Sequence, residues 1–511
     1  MQKLRKTLRL TRTSCDLTVH SSSSHTGNKL KVMEVSNLTE NKAVKRKAKE
    51  NVLSTTYKKK VKGSNKPFRP GFGEEKFDET DYYIENGLRK VYPYIFTYTS
   101  YCKGRWAGEK LMDIYAREFR AHPREEYVKA VLSGSVTVNG KMVGTDYVLR
   151  DNDLIANKVH RHEIPVLAAP LKIIHQSDDL VIIDKPPSIP VHPCGRYRHN
   201  SIAFILGKEY NLKNLNILHR LDRLTSGLLM FGLKADRVKT MMDQIRERQV
   251  SKEYVCRVDG NFPDQPVCCV EPIEVISHKI GVCVVSPSGK GCKTEFSKLS
   301  YNGKSSVVMC RPLTGRMHQI RIHLQYLGHP IVNDPLYNHE VFGPNKGKGG
   351  DLGKSREQLL EDLIKVHTAE NWLNEEESSS GTSNDSDQTK YDKLVGEKKD
   401  ENEDTSGQQA TIAEENKNIE CAGSTSLTCG ITSSLKHYTE NDKQYEKLKK
   451  QYVFDPKKIT YDPNCYDCQR KYKDPKPSDL IMFLHALKYK GLDWEFETEM
   501  PAWAKDDWTE S

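Results

Sequence analysis

The sequence predicts an α+β protein, with a core of short strands interleaved with helices and charged segments on its flanks that are too polar to pack. Three observations lead there. Short apolar runs recur between turn residues, as strands do. Other stretches place their apolar residues at helical spacing. The 511 residues are 36% hydrophobic and 29% charged, with a mean hydropathy of −0.69. That is more polar than a chain that is globular from end to end, so part of it is expected to be disordered.

Residues 1–71 sustain no apolar period and form the first segment, a disordered basic arm. Residues 1–70 carry 18 Lys and Arg against 4 Asp and Glu. Such an arm suits a polyanion held through its phosphates; a solubilising tail is the plainer alternative. Lys45-Arg46-Lys47 and Lys58-Lys59-Lys60 fit nuclear import, which favours the nucleus and cytoplasm. Lys3, Arg5, Lys6, Arg9 and Arg12 all precede the first acid, Asp16, and fit a mitochondrial presequence as the alternative.

Residues 105–163 make the next unit. Leu111, Tyr115 and Phe119 share a helical face, and a second helix runs from about Pro123 to Leu132, where Gly134 stops it. Val136-Thr137-Val138 and Lys141-Met142-Val143 pair as a hairpin through Asn139-Gly140, a dipeptide that accepts two positive φ angles. Two helices and a hairpin resemble a small RNA-binding module of the ribosomal-protein type, and a plain structural subdomain is the alternative.

Residues 165–342 carry the main core, with strands at Leu180 to Asp184, Leu228 to Leu233 and Tyr254 to Val258. Residues 344–450 read as a largely disordered insertion, since 371–440 hold 15 acids against 6 bases. One helix is expected inside it, from Ser355 to Trp372, opened by a Ser355 to Gln358 capping box. Apolar residues return at Ile481 to Leu484 and Trp494 to Phe496, so residues 451–508 are expected to complete the core.

Membrane and secreted classes are excluded by the lack of an apolar run long enough to span a bilayer and of an apolar block near the N-terminus. Thirteen cysteines at irregular spacing suit a reducing compartment.

Three charged stretches sit between apolar runs, where burial without a task is costly. Asp184-Lys185-Pro186-Pro187 leads to Val191-His192-Pro193. His219-Arg220-Leu221-Asp222-Arg223-Leu224-Thr225-Ser226-Gly227 runs straight into Leu228-Leu229-Met230-Phe231. Thr314-Gly315-Arg316-Met317-His318-Gln319-Ile320-Arg321-Ile322-His323-Leu324 opens a helix that Gly328 ends.

These residues resemble the RluA-type pseudouridine synthases, whose signatures H-R-L-D-x-x-T-S-G and T-G-R-x-H-Q-I-R-x-H-L stand here nearly unbroken. Leu484-His485-Ala486-Leu487-Lys488-Tyr489-Lys490-Gly491 and Met500-Pro501-Ala502-Trp503-Ala504 resemble a eukaryotic branch of that family. The resemblance covers about 80–342 and 450–508. It implies the pseudouridine synthase fold, a mixed and mostly antiparallel central sheet. It also implies isomerisation of a uridine within RNA without any cofactor: the N1–C1′ bond breaks, the base turns, and a C5–C1′ bond forms. The implied partner is RNA, transfer RNA first and messenger RNA second.

Asp222 matches the family's catalytic carboxylate, which adds to the base, attacks C1′ or draws a proton from C2′; each route needs it ionised. Arg316 matches an arginine expected to pair with Asp222 and keep it ionised. Arg220 matches the arginine that fills the vacancy left by an extruded base, and Tyr254 the tyrosine that stacks on that base. A phosphate contact for Arg220, a core position for Tyr254 and a packing pair for Asp222 and Arg316 are the plainer alternatives. Lys185, His192, His318 and His323 are read as scaffold or phosphate contacts. Met317 and Asn333 depart from the family pattern, standing where Thr or Ser and Gly are usual.

The runner-up function is a catalytically silent RNA-binding protein with the same fold. Loss of Asp222, Tyr254 or Arg316 would mark it, and all three are present. No metal is expected. Cys465 and Cys468 have zinc-ligand spacing, but a tetrahedral site needs two more ligands, and the nearest, Cys421 and Cys429, fall in the acidic insertion. His160-Arg161-His162-Glu163 stands too far from that pair in sequence for a zinc deaminase.

Overall fold

A computed structural model describes residues 74–119, 122–277, 280–369, 443–505 and 508. The basic arm of 1–71 and most of the expected insertion lie outside the described residues.

The described chain opens on a hairpin of β1 (Tyr82–Glu85) and β2 (Leu88–Val91), turned by Asn86 and Gly87 at positive φ. Next come β3 (Tyr94–Tyr101), α1 (Leu111–Glu118), α2 (Arg124–Leu132), β4 (Val136–Val138), β5 (Lys141–Met142) and β6 (Leu154–Arg161). β3, β6, β4 and β5 form one antiparallel sheet in that order. Leu111, Ile114 and Tyr115 of α1 and Val131 of α2 pack on Val136 and Val138 of β4. Asn139 and Gly140 both take positive φ, as the hairpin between β4 and β5 requires. β7 (Val166–Leu167) then adds to β2.

The central sheet begins with β8 (Lys172–Gln176) and β9 (Leu180–Lys185). It continues through α3 (Ile202–Glu209), β10 (Asn216–Ile217), β11 (Ser226–Gly232), α4 (Ala235–Arg246), β12 (Ser251–Asp259) and β13 (Val267–Cys269). A separate hairpin, β14 (Ile273–Ser277) with β15 (Val282–Val285), precedes β16 (Thr294–Tyr301), β17 (Ser305–Pro312) and α5 (Gln319–Tyr326). After α6 (Arg356–Ala369) and α7 (Lys443–Gln451) come β18 (Leu484–Lys490) and β19 (Glu495–Glu497).

The spatial order is β13-β16-β17-β12-β18-β11-β9-β8. The pair β11 and β18 is parallel, and the other neighbours in that order are antiparallel. All seven residues of β11 are buried, in keeping with the apolar run Leu228-Leu229-Met230-Phe231 at its centre. Gly227 has φ +104°, and a Cβ there would stand 2.3 Å from the Ala486 carbonyl oxygen. Only a residue without a side chain lets β18 lie against β11 at this point.

Asn333 explains its own departure from the family pattern. Its Nδ2 donates to Ile481 O (2.8 Å) and its Oδ1 accepts from Phe483 N–H (2.8 Å), so it aligns the segment that enters the sheet. A glycine could do neither. Ser355 Oγ accepts from Gln358 N–H (3.2 Å) and caps α6, whose Leu359 and Leu363 pack with Ile322, Tyr337 and Phe342. The chain therefore stays packed on the folded body at least to Leu363, well past the expected start of the insertion. Among the described residues, no helix is long and apolar enough to cross a membrane.

Candidate active site

Asp222 sits on the loop that enters β11. Leu221 and Leu224 anchor that loop in two different apolar clusters, and Asp222 between them stays part-exposed. Three polar ties hold it as well. Met230 N–H donates to His219 Nε2 (3.2 Å), Thr225 N–H donates to Asp222 O (3.1 Å), and Lys185 Nζ donates to Arg223 O (3.0 Å). Burial and the nearby Lys252 charge pull His219 down to about 3, so its ring is neutral and free to accept.

Lys185 is fully buried, and its Nζ also donates to Pro186 O (2.8 Å) and Ile189 O (2.9 Å). Burial lowers its pKa to about 7. Against that, three carbonyls, one for each N–H of the ammonium, favour the charged form. Lys185 thus ties the Pro186-Pro187 loop to the Asp222 loop.

The Asp222 side chain is 35% exposed. Its Oδ2 lies 3.5 Å from Arg321 Nη1 and 3.6 Å from His318 Nε2. Arg321 projects from α5 and is locked on its other edge, with Nε and Nη2 donating to the two oxygens of Asp334 (2.6 and 2.7 Å). Asp334 also accepts from the N–H groups of Leu336 and Tyr337 (both 2.9 Å). Burial by itself would raise Asp334, but the Arg321 charge and these hydrogen bonds outweigh it and hold the carboxyl below its usual range. His318 has φ 57° and ψ 20°, a left-handed conformation uncommon for a non-glycine, and its Nδ1 is hydrogen-bonded with Tyr337 Oη (2.8 Å).

The pairing expected of Arg316 therefore falls to Arg321. Arg316 stands in the turn before α5, where its Nη2 donates to Gly291 O (3.1 Å). Arg321 comes five residues later inside the helix, and the helical phase aims it at the loop that carries Asp222.

Tyr254 lies on β12, next to β18. A bulge between Glu253 and Tyr254 interrupts the register with β18 and re-aims the side chain. Its hydroxyl is hydrogen-bonded to that of Tyr489. Burial, with the Asp222 charge adding to it and the Tyr489 hydrogen bond opposing, pushes Tyr254 up to about 12. The ring is a phenol at neutral pH.

Arg220 is exposed, on the His192 and Cys194 side of the loop. A cavity of about 570 Å³ opens there, lined by Phe96, Tyr98, Arg161, His192, Cys194 and Tyr197. It flanks the Asp222 loop without containing Asp222. His323 is wholly buried, sharing a hydrogen bond with Thr294 Oγ1 (2.9 Å) and donating to Glu271 O (3.0 Å), a scaffold position.

Sequence reasoning missed Arg321, Asp334 and Tyr489. A signal existed for the first two. Arg321 is flanked by Ile320 and Ile322, and Asp334 follows Ile331 and Val332 closely. Charges set in apolar surroundings on nearby elements are expected to pair with each other.

A buried, doubly hydrogen-bonded guanidinium thus faces a solvent-reachable carboxylate beside a mixed sheet that a late strand enters. Residues 179–326, which contain Asp222, Tyr254 and Arg321, match the profile of RNA pseudouridylate synthases. The chain is 48% identical over 443 residues to pseudouridylate synthase RPUSD2 of Homo sapiens, covering 86% of this chain and 77% of that one. Identity to the Mus musculus counterpart is 48% over 448 residues, covering 86% and 75%. With the mitochondrial tRNA pseudouridine(32) synthase of Saccharomyces cerevisiae it is 46% over 277 residues, 53% of this chain and 60% of that one. The chain belongs to the RluA-type pseudouridylate synthase family and is an RNA pseudouridine synthase, an isomerase.

Proposed function

We propose that Asp222 is the catalytic carboxylate that converts a uridine of transfer RNA to pseudouridine. One observation carries this reading: a part-exposed carboxylate faces a guanidinium whose remaining donors are committed to Asp334. That fixed guanidinium holds the carboxylate in place for addition to the base, attack at C1′ or removal of the C2′ proton.

Tyr254, protonated and tied to Tyr489, offers a ring face for the extruded uracil. Arg220 reaches solvent and fills the vacated place in the RNA stack. His192 Nδ1 and Arg223 Nη1 are buried polar atoms without a hydrogen-bond partner, and a backbone phosphate beside the cavity would satisfy them. Arg316, in the turn before α5, fits a phosphate contact.

The yeast relative's name supports transfer RNA as the substrate and fits the mitochondrial alternative for location. The test is release of tritium from RNA labelled at uridine C5. Wild type releases it, and Asp222→Asn falls to background while keeping its circular dichroism spectrum. Equal release from both proteins would remove Asp222 from the chemistry, and no release from either would favour the silent RNA-binding protein.

A further inference from the structure

Two motifs that are unremarkable apart meet in space. His160 is the penultimate residue of β6 and His162 lies just past its end, while Cys465 and Cys468 lie on a turn up to 308 residues further along the chain. One nitrogen of each histidine and both sulfurs all fall within 4.8 Å of one another. His160 Nδ1 is 3.2 Å from His162 Nε2, and Cys468 Sγ is 3.2 and 3.3 Å from those two nitrogens.

A tetrahedral ion with Zn–N and Zn–S bonds of about 2.0 and 2.3 Å has edges of about 3.3 Å between nitrogens and about 3.5 Å between nitrogen and sulfur. The observed edges are within about 0.4 Å of these. We infer that His160, His162, Cys465 and Cys468 bind one zinc ion, which pins the C-terminal segment to the N-terminal sheet.

The protons point the same way. Thr460 Oγ1 donates its hydrogen to Pro93 O (2.7 Å). Its contact with His160 Nε2 (2.7 Å) must then be one in which Nε2–H donates. That leaves Nδ1 as a lone pair aimed at the other three ligands, and the Thr460 hydroxyl fixes the ring as outer partners of metal-bound histidines do. The triangle formed by the two nitrogens and Cys468 Sγ has three short contacts. Only the His162 Nε2 proton and the Cys468 thiol proton remain to fill them, and a central cation serves all three. Asp462 N–H also points at Cys468 Sγ (3.5 Å), a donor suited to a metal thiolate.

Two thiolates and two imidazoles favour zinc over the hard cations magnesium and calcium. On binding, the two thiols release their protons and the site becomes electrically neutral. The set is closed, with four protein ligands and no open position, which makes it structural rather than hydrolytic. Glu163, beside His162, is not available as a base. It accepts from Tyr94 Oη (2.8 Å) and from the N–H groups of Arg198, His199 and Asn200 (each 2.9 Å).

The test measures metal in the full-length chain purified without chelator, by elemental mass spectrometry. One zinc per chain is expected, lost in Cys468→Ser and His162→Ala and kept in Cys194→Ser, whose thiol lies outside the cluster. Because a variant could lose zinc by misfolding, chelator-stripped wild type is also refilled with cobalt(II). Ligand-field bands of a tetrahedral ion with thiolate charge transfer, and a melting temperature raised by added zinc, are expected. Wild type without zinc and without that cobalt spectrum, zinc retained by Cys468→Ser, or a Cys465–Cys468 disulfide in place of metal would each overturn the inference.

Discussion

Arg321→Met removes two hydrogen bonds to Asp334 (2.6 and 2.7 Å) and the positive charge 3.5 Å from Asp222. Asp334, with a side chain 0% exposed, would keep only the N–H groups of Leu336 and Tyr337 as donors. Deleting one member of a buried pair costs about 3–5 kcal/mol, a large share of the roughly 5–15 kcal/mol that holds a domain together. The double variant Arg321→Met with Asp334→Asn leaves no buried charge behind. Its loss is therefore expected to fall short of the sum of the single losses by about 2 kcal/mol or more. Arg316→Ala gives up contacts with one carbonyl near the surface and is expected to cost no more than about 1 kcal/mol. Urea denaturation reads these differences, and tritium release reads turnover. Arg321→Lys keeps the charge but not the planar fork, and turnover is expected to fall by about tenfold or more. Strict additivity in the double variant, or turnover that survives Arg321→Lys yet vanishes in Arg316→Ala, would refute the assignment of Arg321.

Two further outcomes follow from the sheet. Gly227→Ala would force a Cβ to 2.3 Å from Ala486 O and 2.6 Å from Ala486 N at φ +104°. A loss of at least about 3 kcal/mol is expected, with residues 443–505 released to limited proteolysis, and a protease-resistant, fully active variant would contradict it. Burial raises Asp184 to about 7, against the pull of Lys172. The folded chain then keeps a proton that the unfolded chain has lost above about pH 4, so this group's stabilising contribution fades as pH climbs through about 7. Asp184→Asn, which cannot ionise, is expected to gain on wild type between about pH 5 and pH 8 in urea midpoints, and an unchanged gap would count against it.

The α+β class was legible because most elements have local causes. Asn139-Gly140 takes the positive φ angles its hairpin needs, and Gly328 closes α5 at φ 81°. Less legible was anything decided between distant residues. β11 starts at Ser226 rather than Leu228, because Ser226 and Gly227 pair with His485 and Ala486 of β18, and Ser226 Oγ also shares a hydrogen bond with His485 Nδ1 (2.9 Å), 259 residues away. Motif matching assigned the guanidinium beside Asp222 to Arg316, whereas Arg321, inside α5, lies 3.5 Å from that carboxylate and Arg316 sits in the turn before the helix. The histidine and cysteine pairs were each too weak a signal alone, and no rule of spacing joins β6 to a turn beyond the acidic segment.

The place of β18 also bears on how the protein is made. β11 and β12 are translated long before it, and between Pro312 and Leu484 a ribosome at ~5–20 residues per second needs roughly 10–35 s. During that interval the two strands that will flank β18 present unpaired backbone to each other and to every neighbouring nascent chain. A messenger interrupted anywhere between Leu324 and Leu484 would yield a protein with both signature motifs intact and its middle strand missing, ready to aggregate.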